Sequence, residues 1–236
     1  MIPTSRNERL QSGFHHWISI QRNNLKELLH ALTVANGGDV ELFRHLADKN
    51  IQHLIDHQQI KSGCDIYSSV WGTSLENSLF WIGGFKPSIY IRLASSITGM
   101  EPEMLVGLKK LKVADGETSA CGVDTEKYSS TQLKLMKDLN ANTVSREAQI
   151  SSRMTNFQEG GCIEPRIVIA SNNSNHELEL ALAAHGVELS SIVVDADELR
   201  VTVLKELMHI LTPIQGIRLL IASYRLHLSI HECGRK

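Results

Sequence analysis

The sequence predicts an all-α protein that forms a single helical bundle domain with long surface loops. Apolar residues recur at intervals of three and four over most of the chain, which is the spacing of amphipathic helices. Several of these segments begin with a capping sequence and end near glycine, as helices do. The chain has 236 residues, of which 42% are hydrophobic, so it is long and apolar enough to bury a sizeable core.

The first two apolar segments predict an antiparallel pair of helices. The first helix begins behind a Ser12 cap and runs to about Val34, which leaves residues 1–11 as a short polar tail. After the link "NGGD", Asp39 caps a second helix that runs to about Gln59. Because the link is so short, the two helices are expected to lie antiparallel.

The stretch "TSLENSLFWIGG", residues 73–84, predicts a short third helix. Thr73 and Glu76 fit a capping box, in which the threonine hydroxyl accepts from a free backbone amide and the glutamate side chain returns to the cap residue. Gly83 and Gly84 are predicted to end this helix, since glycine adopts the left-handed conformation without a Cβ penalty. They would form a hinge and let a neighbouring helix backbone approach closely.

A fourth helix is predicted directly after this glycine pair. Pro87 suits its first turn, because proline has no amide hydrogen to leave unpaired there. The helical spacing of apolar residues then continues to Gly99. Phe80 and Trp81 are expected to be buried at the corner between the third and fourth helices.

The middle of the chain predicts a loop followed by a long helix. Residues 108–130 are polar and aperiodic, which indicates a mobile surface loop. The capping sequence "SSTQ" at residues 129–132 begins a helix that runs to Gly160-Gly161. The run "RIVIAS" at residues 166–171 has the β-branched composition of a strand, but nothing obvious pairs with it.

Two further helices close the chain. The first is predicted from about Glu188 to Leu211. The second opens on "TPIQ", which combines a Thr212 cap, a first-turn proline and a capping-box glutamine, and it runs to about His231.

Composition and motifs argue against several classes of protein. A net charge of −2 does not favour binding to phosphate backbones by charge alone. No apolar run approaches the roughly 18 residues that cross a bilayer, and no signal peptide is visible, so a membrane protein is not expected. The four cysteines are far apart, which indicates a reduced, intracellular protein with structural thiols; they are Cys64, Cys121, Cys162 and Cys233.

The chain also contains a set of motifs that carries a family resemblance. In chain order they are Phe14, Trp17 and Gln21, then Trp71, Thr73, Ser74 and Glu76, then the run "WIGGFKPS" at 81–88, then Asp197, Leu199, Arg200 and Leu204, then Ile210, Leu211, Thr212, Pro213 and Gln215. Together they resemble the plant delay-of-germination (DOG) family. The same domain forms the carboxy-terminal half of TGA-type bZIP transcription factors. The resemblance runs from about Phe14 to Gly234, so one domain is predicted over residues 12–234.

The resemblance implies a helical interaction domain of plant regulators. Such proteins act in transcription, seed dormancy and hormone response, including abscisic acid signalling. The implied partners are transcription factors, co-regulators or signalling phosphatases, in the nucleus and also in the cytoplasm. No basic region or zipper precedes the first helix, so DNA is expected to be reached through partners, with direct sequence-specific DNA binding as an alternative. A homodimer is a further expectation.

The family signature is interpreted as mainly structural, because buried aromatic residues and helix-breaking glycines need no ligand to explain them. Its residues are Trp81, Ile82, Gly83, Gly84, Pro87 and Ser88. The chain departs from the family pattern at Cys233, where an aromatic residue is expected. Residues 108–130 and 161–175 match no family motif.

Two histidine pairs are candidates for cofactor binding. His227 and His231 lie four residues apart, as do His53 and His57, so each pair faces one side of a helix. His227 and His231 also have apolar neighbours and could bind haem or a metal, which would make the protein a ligand-binding sensor. In the simpler interpretation, histidines in a final turn favour the negative end of the helix dipole and need no cofactor.

No other chemical site is predicted. Asp195 and Asp197 resemble a metal-binding pair, but residues two apart on a helix point in different directions, so no metal is assigned to them. The sequence contains no nucleophile elbow, no phosphate-binding loop and no dinucleotide fingerprint. Ser74 is explained by its place at a helix start. The protein is therefore expected not to be an enzyme.

Overall fold

The computed structural model describes residues 6–34, 39–61, 72–97, 128–163 and 175–235. Across these ranges the structure contains seven helices and no strand, which confirms the predicted all-α fold. The helices are α1 (Arg6–Val34), α2 (Val40–Lys61), α3 (Ser74–Leu79), α4 (Ser88–Ile97), α5 (Ser130–Ile163), α6 (Asn175–Ile210) and α7 (Pro213–Gly234). None of the described helices is both long enough and apolar enough to cross a membrane.

Helix α7 is the centre of the arrangement. It packs against α1, α2, α3 and α4, and more lightly against α6. Helices α5 and α6 form a long pair of their own, to which α4 adds contacts with both helices. Helix α2 also contacts α6, so the two halves of the structure share more than the central helix.

Two apolar clusters form the core. The larger cluster joins α4, α5 and α6 and contains fully buried residues such as Ile192, Leu199 and Leu207. The smaller cluster joins α1, α2 and α7 around Leu28 and Phe43. Each such side chain contributes about 1.5–3 kcal/mol when it is fully buried. Packing of these faces, rather than helix propensity, therefore supplies most of the stability.

A buried polar network joins α1, α2 and α7 beside the smaller cluster. The Asn24 amide donates to the Tyr224 hydroxyl over 3.0 Å, and that hydroxyl donates to Asn50 Oδ1 over 2.8 Å. The Asn50 amide donates in turn to the Leu46 carbonyl over 2.6 Å. Burial raises the pKa of Tyr224 above its ordinary value, so its hydroxyl stays protonated and remains a donor. These hydrogen bonds form only when α1, α2 and α7 are aligned as they are here, so the network favours this one arrangement of the three helices.

Removal of the Tyr224 hydroxyl should cost more than removal of the Tyr128 hydroxyl. Tyr224→Phe leaves a buried donor on Asn24 and a buried acceptor on Asn50 without their partner, which costs about 1–3 kcal/mol. Tyr128 donates to one backbone carbonyl, that of Ala94, over 2.7 Å, so Tyr128→Phe should cost about 1 kcal/mol. Urea unfolding followed by circular dichroism measures both. Equal losses would contradict a network centred on Tyr224.

The predicted helix starts at Asp39, at residues 129–132 and at Thr212 are confirmed. Leu42 donates its backbone amide to the Asp39 side chain over 2.9 Å. Ser129 and Gln132 exchange side-chain and backbone hydrogen bonds of 2.9 and 3.1 Å, and Thr212 forms a full capping box with Gln215. These starts were predictable because a cap depends on residues three positions apart.

Three predicted helix boundaries are wrong. Helix α1 begins at Arg6, so the Ser12 cap is not used and part of the predicted polar tail is helical. Helix α5 continues past Gly160 to Ile163, and α6 begins at Asn175, well before the predicted start. In each case the helix extends beyond its local signal, and the roughly 1 kcal/mol that a glycine costs in a helix interior is not enough to end α5 at Gly160.

Residues 108–127 of the predicted loop at 108–130 lie outside the described part of the chain. The "RIVIAS" run at 166–171 lies outside it as well. Tyr128, at the end of that loop, is a core residue and is 7% exposed. Burial raises its pKa to about 12, so at neutral pH its hydroxyl is a stable donor.

Candidate functional site: the signature turn and the histidine pair

The family signature begins with a tight turn and not with a helix end. Helix α3 already ends at Leu79, so the predicted termination at the glycine pair is wrong. Trp81 and Gly84 pair through two backbone hydrogen bonds, from the Trp81 amide over 2.6 Å and from the Gly84 amide over 3.3 Å. Between them Ile82 and Gly83 have φ values of 46° and 76°, as both central residues of a tight reverse turn require. The chain therefore reverses here before α4 begins.

Ile82 has a strained backbone in this turn. A β-branched residue at positive φ is unusual, and such a conformation costs about 1–3 kcal/mol. The Ile82 side chain is 9% exposed and belongs to the larger apolar cluster. Burial of this side chain offsets the backbone strain.

Arg200 of α6 holds the carbonyl oxygens of the turn. Its guanidinium group donates to the Ile82 and Phe85 carbonyls, each over 2.8 Å, and to the Trp81 carbonyl. It also donates to Asp197 Oδ1 over 2.5 Å. Arg200 is only 3% exposed, so nearly all of its donors are satisfied by protein atoms. One buried cation thus fixes the geometry of the whole turn.

Gly84 is required for this approach. A Cβ atom at Gly84 would lie 3.1 Å from Arg200 Nε and 3.2 Å from Cζ, closer than ordinary contact. The expectation that the glycines admit a neighbouring helix backbone is therefore corrected, because at Gly84 the space is taken by the Arg200 side chain.

Helix α5 holds the signature from the other side. Glu147 accepts from the Ser88 amide over 2.7 Å and from the Ser88 hydroxyl over 3.1 Å. This carboxylate is 4% exposed and lies at the start of α4, where the helix dipole favours a negative charge. One turn further along α5, Ser151 accepts from Trp81 Nε1 over 2.9 Å. Pro87 directly precedes the first residue of α4.

The aromatic residues at this corner are less buried than predicted. Phe80 and Trp81 are only partly buried, whereas Ile82 and Phe85 are the buried members of the turn. The Phe80 ring meets the Phe85 ring edge to face at 5.3 Å. Trp81 still contacts α6, because the Arg200 guanidinium lies 5.5 Å from the centroid of its ring.

His231 lies against the carboxylate of Glu76 in α3. Its Nδ1 is 3.1 Å from both carboxylate oxygens. His231 is 3% exposed and Glu76 is fully buried. The same carboxylate accepts from the Thr73 amide over 2.7 Å, so the predicted capping box of α3 is confirmed and is also bound to α7. The Phe14 ring of α1 covers His231 at 5.5 Å.

His227 lies one turn earlier on the same face of α7. Its Nδ1 is 2.5 Å from Gln21 Oε1 of α1. The Phe85 and Phe80 rings lie 5.1 and 6.0 Å from its imidazole ring. Gln21 is fully buried, and its Nε2 has no hydrogen-bond partner within the described part of the chain. The structure therefore brings both predicted histidines together between α1, α3 and the signature turn.

The second histidine pair has structural contacts. His53 Nδ1 lies 3.1 Å from Asn24 Oδ1, and the His57 ring stacks on the Trp17 ring at 4.0 Å. These contacts join α2 to α1. Within the described ranges no group of three or more histidine, cysteine or acidic residues could hold a metal ion. The half-buried Cys233 has a free thiol.

The two aspartates of α6 face different partners. Asp195 pairs with Arg153 of α5, which also reaches Glu188 over 3.2 Å. Asp197 pairs with the buried Arg200. The expected divergence of two residues on one helix is therefore seen, and each carboxylate binds its own arginine.

The roles of Arg200 and Glu147 in holding the turn were not among the predictions from the sequence. Arg200 was part of the family motif, but nothing local indicated that it binds the turn. The available signal was its position beside Leu199 in an apolar helix, three residues after Asp197, since a charged pair on a buried face usually has a specific partner. Glu147 gave no signal at all.

Comparison with known proteins gives matches along nearly the whole chain. Residues 24–96 match the family described as "DOG1: Seed dormancy control". The protein DOG1-like 3 of Arabidopsis thaliana is 28% identical over 239 residues, which cover 97% of this chain and 85% of that protein. DOG1-like 1 of the same plant is 29% identical over 99% of this chain and 92% of its own length. Transcription factor TGA3 of Arabidopsis thaliana is 27% identical, over 89% of this chain and 49% of the factor.

Proposed function

Because this chain belongs to the DOG1 family of seed dormancy control, we propose that it regulates plant transcription and seed dormancy by binding other proteins. The observation that carries the proposal is the extent of the similarity, which covers 97% of this chain and 85% of a DOG1-like protein. The proposed role is regulatory and not catalytic, in keeping with the names of these relatives. Abscisic acid signalling is the hormone response in which we expect it to act.

The proposed partners are transcription factors, co-regulators or signalling phosphatases. The TGA relatives are named as transcription factors, which supports a place in the nucleus, with a further cytoplasmic pool proposed. The chain matches about half of the length of TGA3, so DNA contact is proposed to occur through partners. Homodimer formation is proposed as well.

The signature is proposed to support binding indirectly. Ile82 and Phe85 are buried, and Arg200 binds backbone carbonyls, so these groups face the interior of the protein. They set the position of α4 relative to α5 and α6. A partner would then recognise the surface that these helices present.

Affinity capture from plant nuclear extract tests the proposal. The bait is the purified full chain, and captured proteins are identified by mass spectrometry with and without nuclease. Two arginine variants serve as matched baits: Arg153→Met changes a partly exposed side chain, whereas Arg200→Met removes the support of the turn. We expect zipper factors or phosphatases to be retained by the wild-type and Arg153→Met baits after nuclease treatment and lost by Arg200→Met. Capture abolished by nuclease would indicate a nucleic-acid bridge and would contradict the proposal.

A ligand-binding sensor is a second candidate function. The buried Gln21 Nε2, which lacks a partner in the described residues, lies beside His227 and is a donor that a ligand could satisfy. The aromatic rings around the two histidines suit a haem or another flat apolar ligand. The Nδ1 atoms of both histidines already face protein groups, so Nε2 would be the coordinating atom in each case.

Spectroscopic titration with haem tests this second candidate. A haem-binding protein should give a sharpened, shifted Soret band that is lost in the His227→Ala/His231→Ala double variant. His209→Ala is the control, because this histidine lies exposed on α6. The same Soret band in all three proteins would show that these two histidines are not the ligands.

A further inference from the structure

Helix α3 has an inverted polarity. Glu76 is its one buried residue, and the other five of its six residues are exposed. The exposed residues include Leu75 at 37% and Leu79 at 47% exposure. A helix that stabilises a fold normally buries its apolar face and exposes its charge. Helix α3 does the opposite.

Both apolar clusters are built without α3. Within the described residues, neither cluster includes a residue from Gly72 to Phe80. The larger cluster begins at the signature turn, with Trp81 packed against it and Ile82 inside it. Removal of α3 would therefore leave the apolar core intact.

Polar contacts attach α3 to the last turns of α7. Glu76 meets the imidazole of His231, and its carboxylate also accepts from the Thr73 amide. The α7 backbone at Gly234 lies directly against the Thr73 side chain. Phe80, at the end of α3, touches His227 through ring contact at 6.0 Å. A helix of this length is not stable when it is detached, because isolated helices need about 12–15 residues.

We propose that residues 72–80 form a latch, which opens and refolds independently of the core and which the Glu76–His231 pair holds closed over α7. When the latch opens, α3 unfolds and uncovers His231 and the Gly234 backbone. The protein thereby has two states of its α7 surface without any change in its core. This inference goes beyond the proposed regulatory function and does not rest on it.

Native-state hydrogen exchange of the full chain in low denaturant tests the latch. The amides of Asn77 and Phe80 donate to Thr73 and Glu76 carbonyls, both over 3.0 Å, so they report α3 directly. We expect them to exchange at least about 100-fold faster than the amides of α6 between Leu199 and Leu207, at a rate that hardly depends on denaturant. If they follow the same denaturant dependence as α6, α3 opens only with the whole protein and the proposal is wrong.

Two variants of α3 sharpen this test. Glu76→Ala removes the buried contact with His231 and the capping bond from the Thr73 amide, and should speed exchange in α3 about tenfold or more. Exchange in α6 should remain as in the wild type. Leu79→Ala is the control and should leave both helices unchanged, since this side chain is exposed. An equal acceleration in α3 and α6, a failure of Glu76→Ala to fold, or no acceleration at all would each overturn the proposal.

Discussion

Replacement of Arg200 by methionine is expected to destabilise the protein by about 3–5 kcal/mol. The change leaves the Asp197 carboxylate in a buried site without its cation, and it leaves the Ile82 and Phe85 carbonyls without the Arg200 donor. The Trp81 carbonyl keeps only the Gly84 amide, at 3.3 Å. A buried charge that loses its partner costs far more than the pair itself contributes. The free energy of unfolding, from urea titration followed by circular dichroism, measures the effect.

Arg153→Met is the matched control for this prediction. Arg153 also bridges two helices and binds two carboxylates, but its side chain is 39% exposed. After this substitution water can solvate the Asp195 and Glu188 carboxylates, so a loss of about 1 kcal/mol or less in the free energy of unfolding is expected. A double variant, Arg200→Met/Asp197→Leu, should recover part of the loss, because no uncompensated charge remains. If Arg200→Met costs no more than Arg153→Met, the guanidinium group does not support the turn.

Replacement of Gly234 by alanine is expected to destabilise the protein by about 1–3 kcal/mol. A Cβ atom there would overlap the Thr73 hydroxyl and would lie 2.5 Å from Thr73 Cβ. These Thr73 atoms cannot move away freely, because the hydroxyl caps α3. Either α7 must shift or the α3 start must give way. Thermal unfolding at fixed protein concentration measures the loss.

Gly160→Ala is the control for this second substitution. Gly160 lies in α5 with nothing within 4 Å of an added Cβ, so alanine should stabilise by about 0.5–1 kcal/mol through helix propensity alone. Gly216→Ala should fall between the two, because its Cβ would meet the flexible Met208 side chain at 2.8 Å. Equal stabilities of the Gly234 and Gly160 variants would contradict the close contact between α7 and Thr73.

Four capped helix starts were predicted correctly, whereas the starts of α1 and α6 and the end of α3 were not. The caps at Asp39, Thr73 and Thr212 were all identified, because each involves groups within three or four residues of one another. The end of α3 was not, because the signature turn owes its shape to Arg200, more than a hundred residues along the chain. Nothing in the sequence around Gly83 indicates that Arg200 of α6 binds the backbone carbonyls of this turn.

For the histidine pair as well, the position on the helix was predictable from the sequence, whereas the contact partners were not. Their four-residue spacing placed His227 and His231 on one face of a helix, as the structure has them. Their partners, Gln21 and Glu76, come from α1 and α3 and were not predictable. Glu76 was correctly assigned to a capping box, yet its second contact depends on how α3 lies across α7.

The sequence by itself determined the all-α class, the main helix starts and the family resemblance, since periodicity, capping and motifs are local properties of the chain. Tertiary structure alone decided the tight turn at Ile82 and the burial of Glu76 instead of Leu75 and Leu79. The physical reason is that a buried charge such as Arg200 or Glu76 is tolerated only where partners from distant segments meet it, and those partners assemble only when the helices pack.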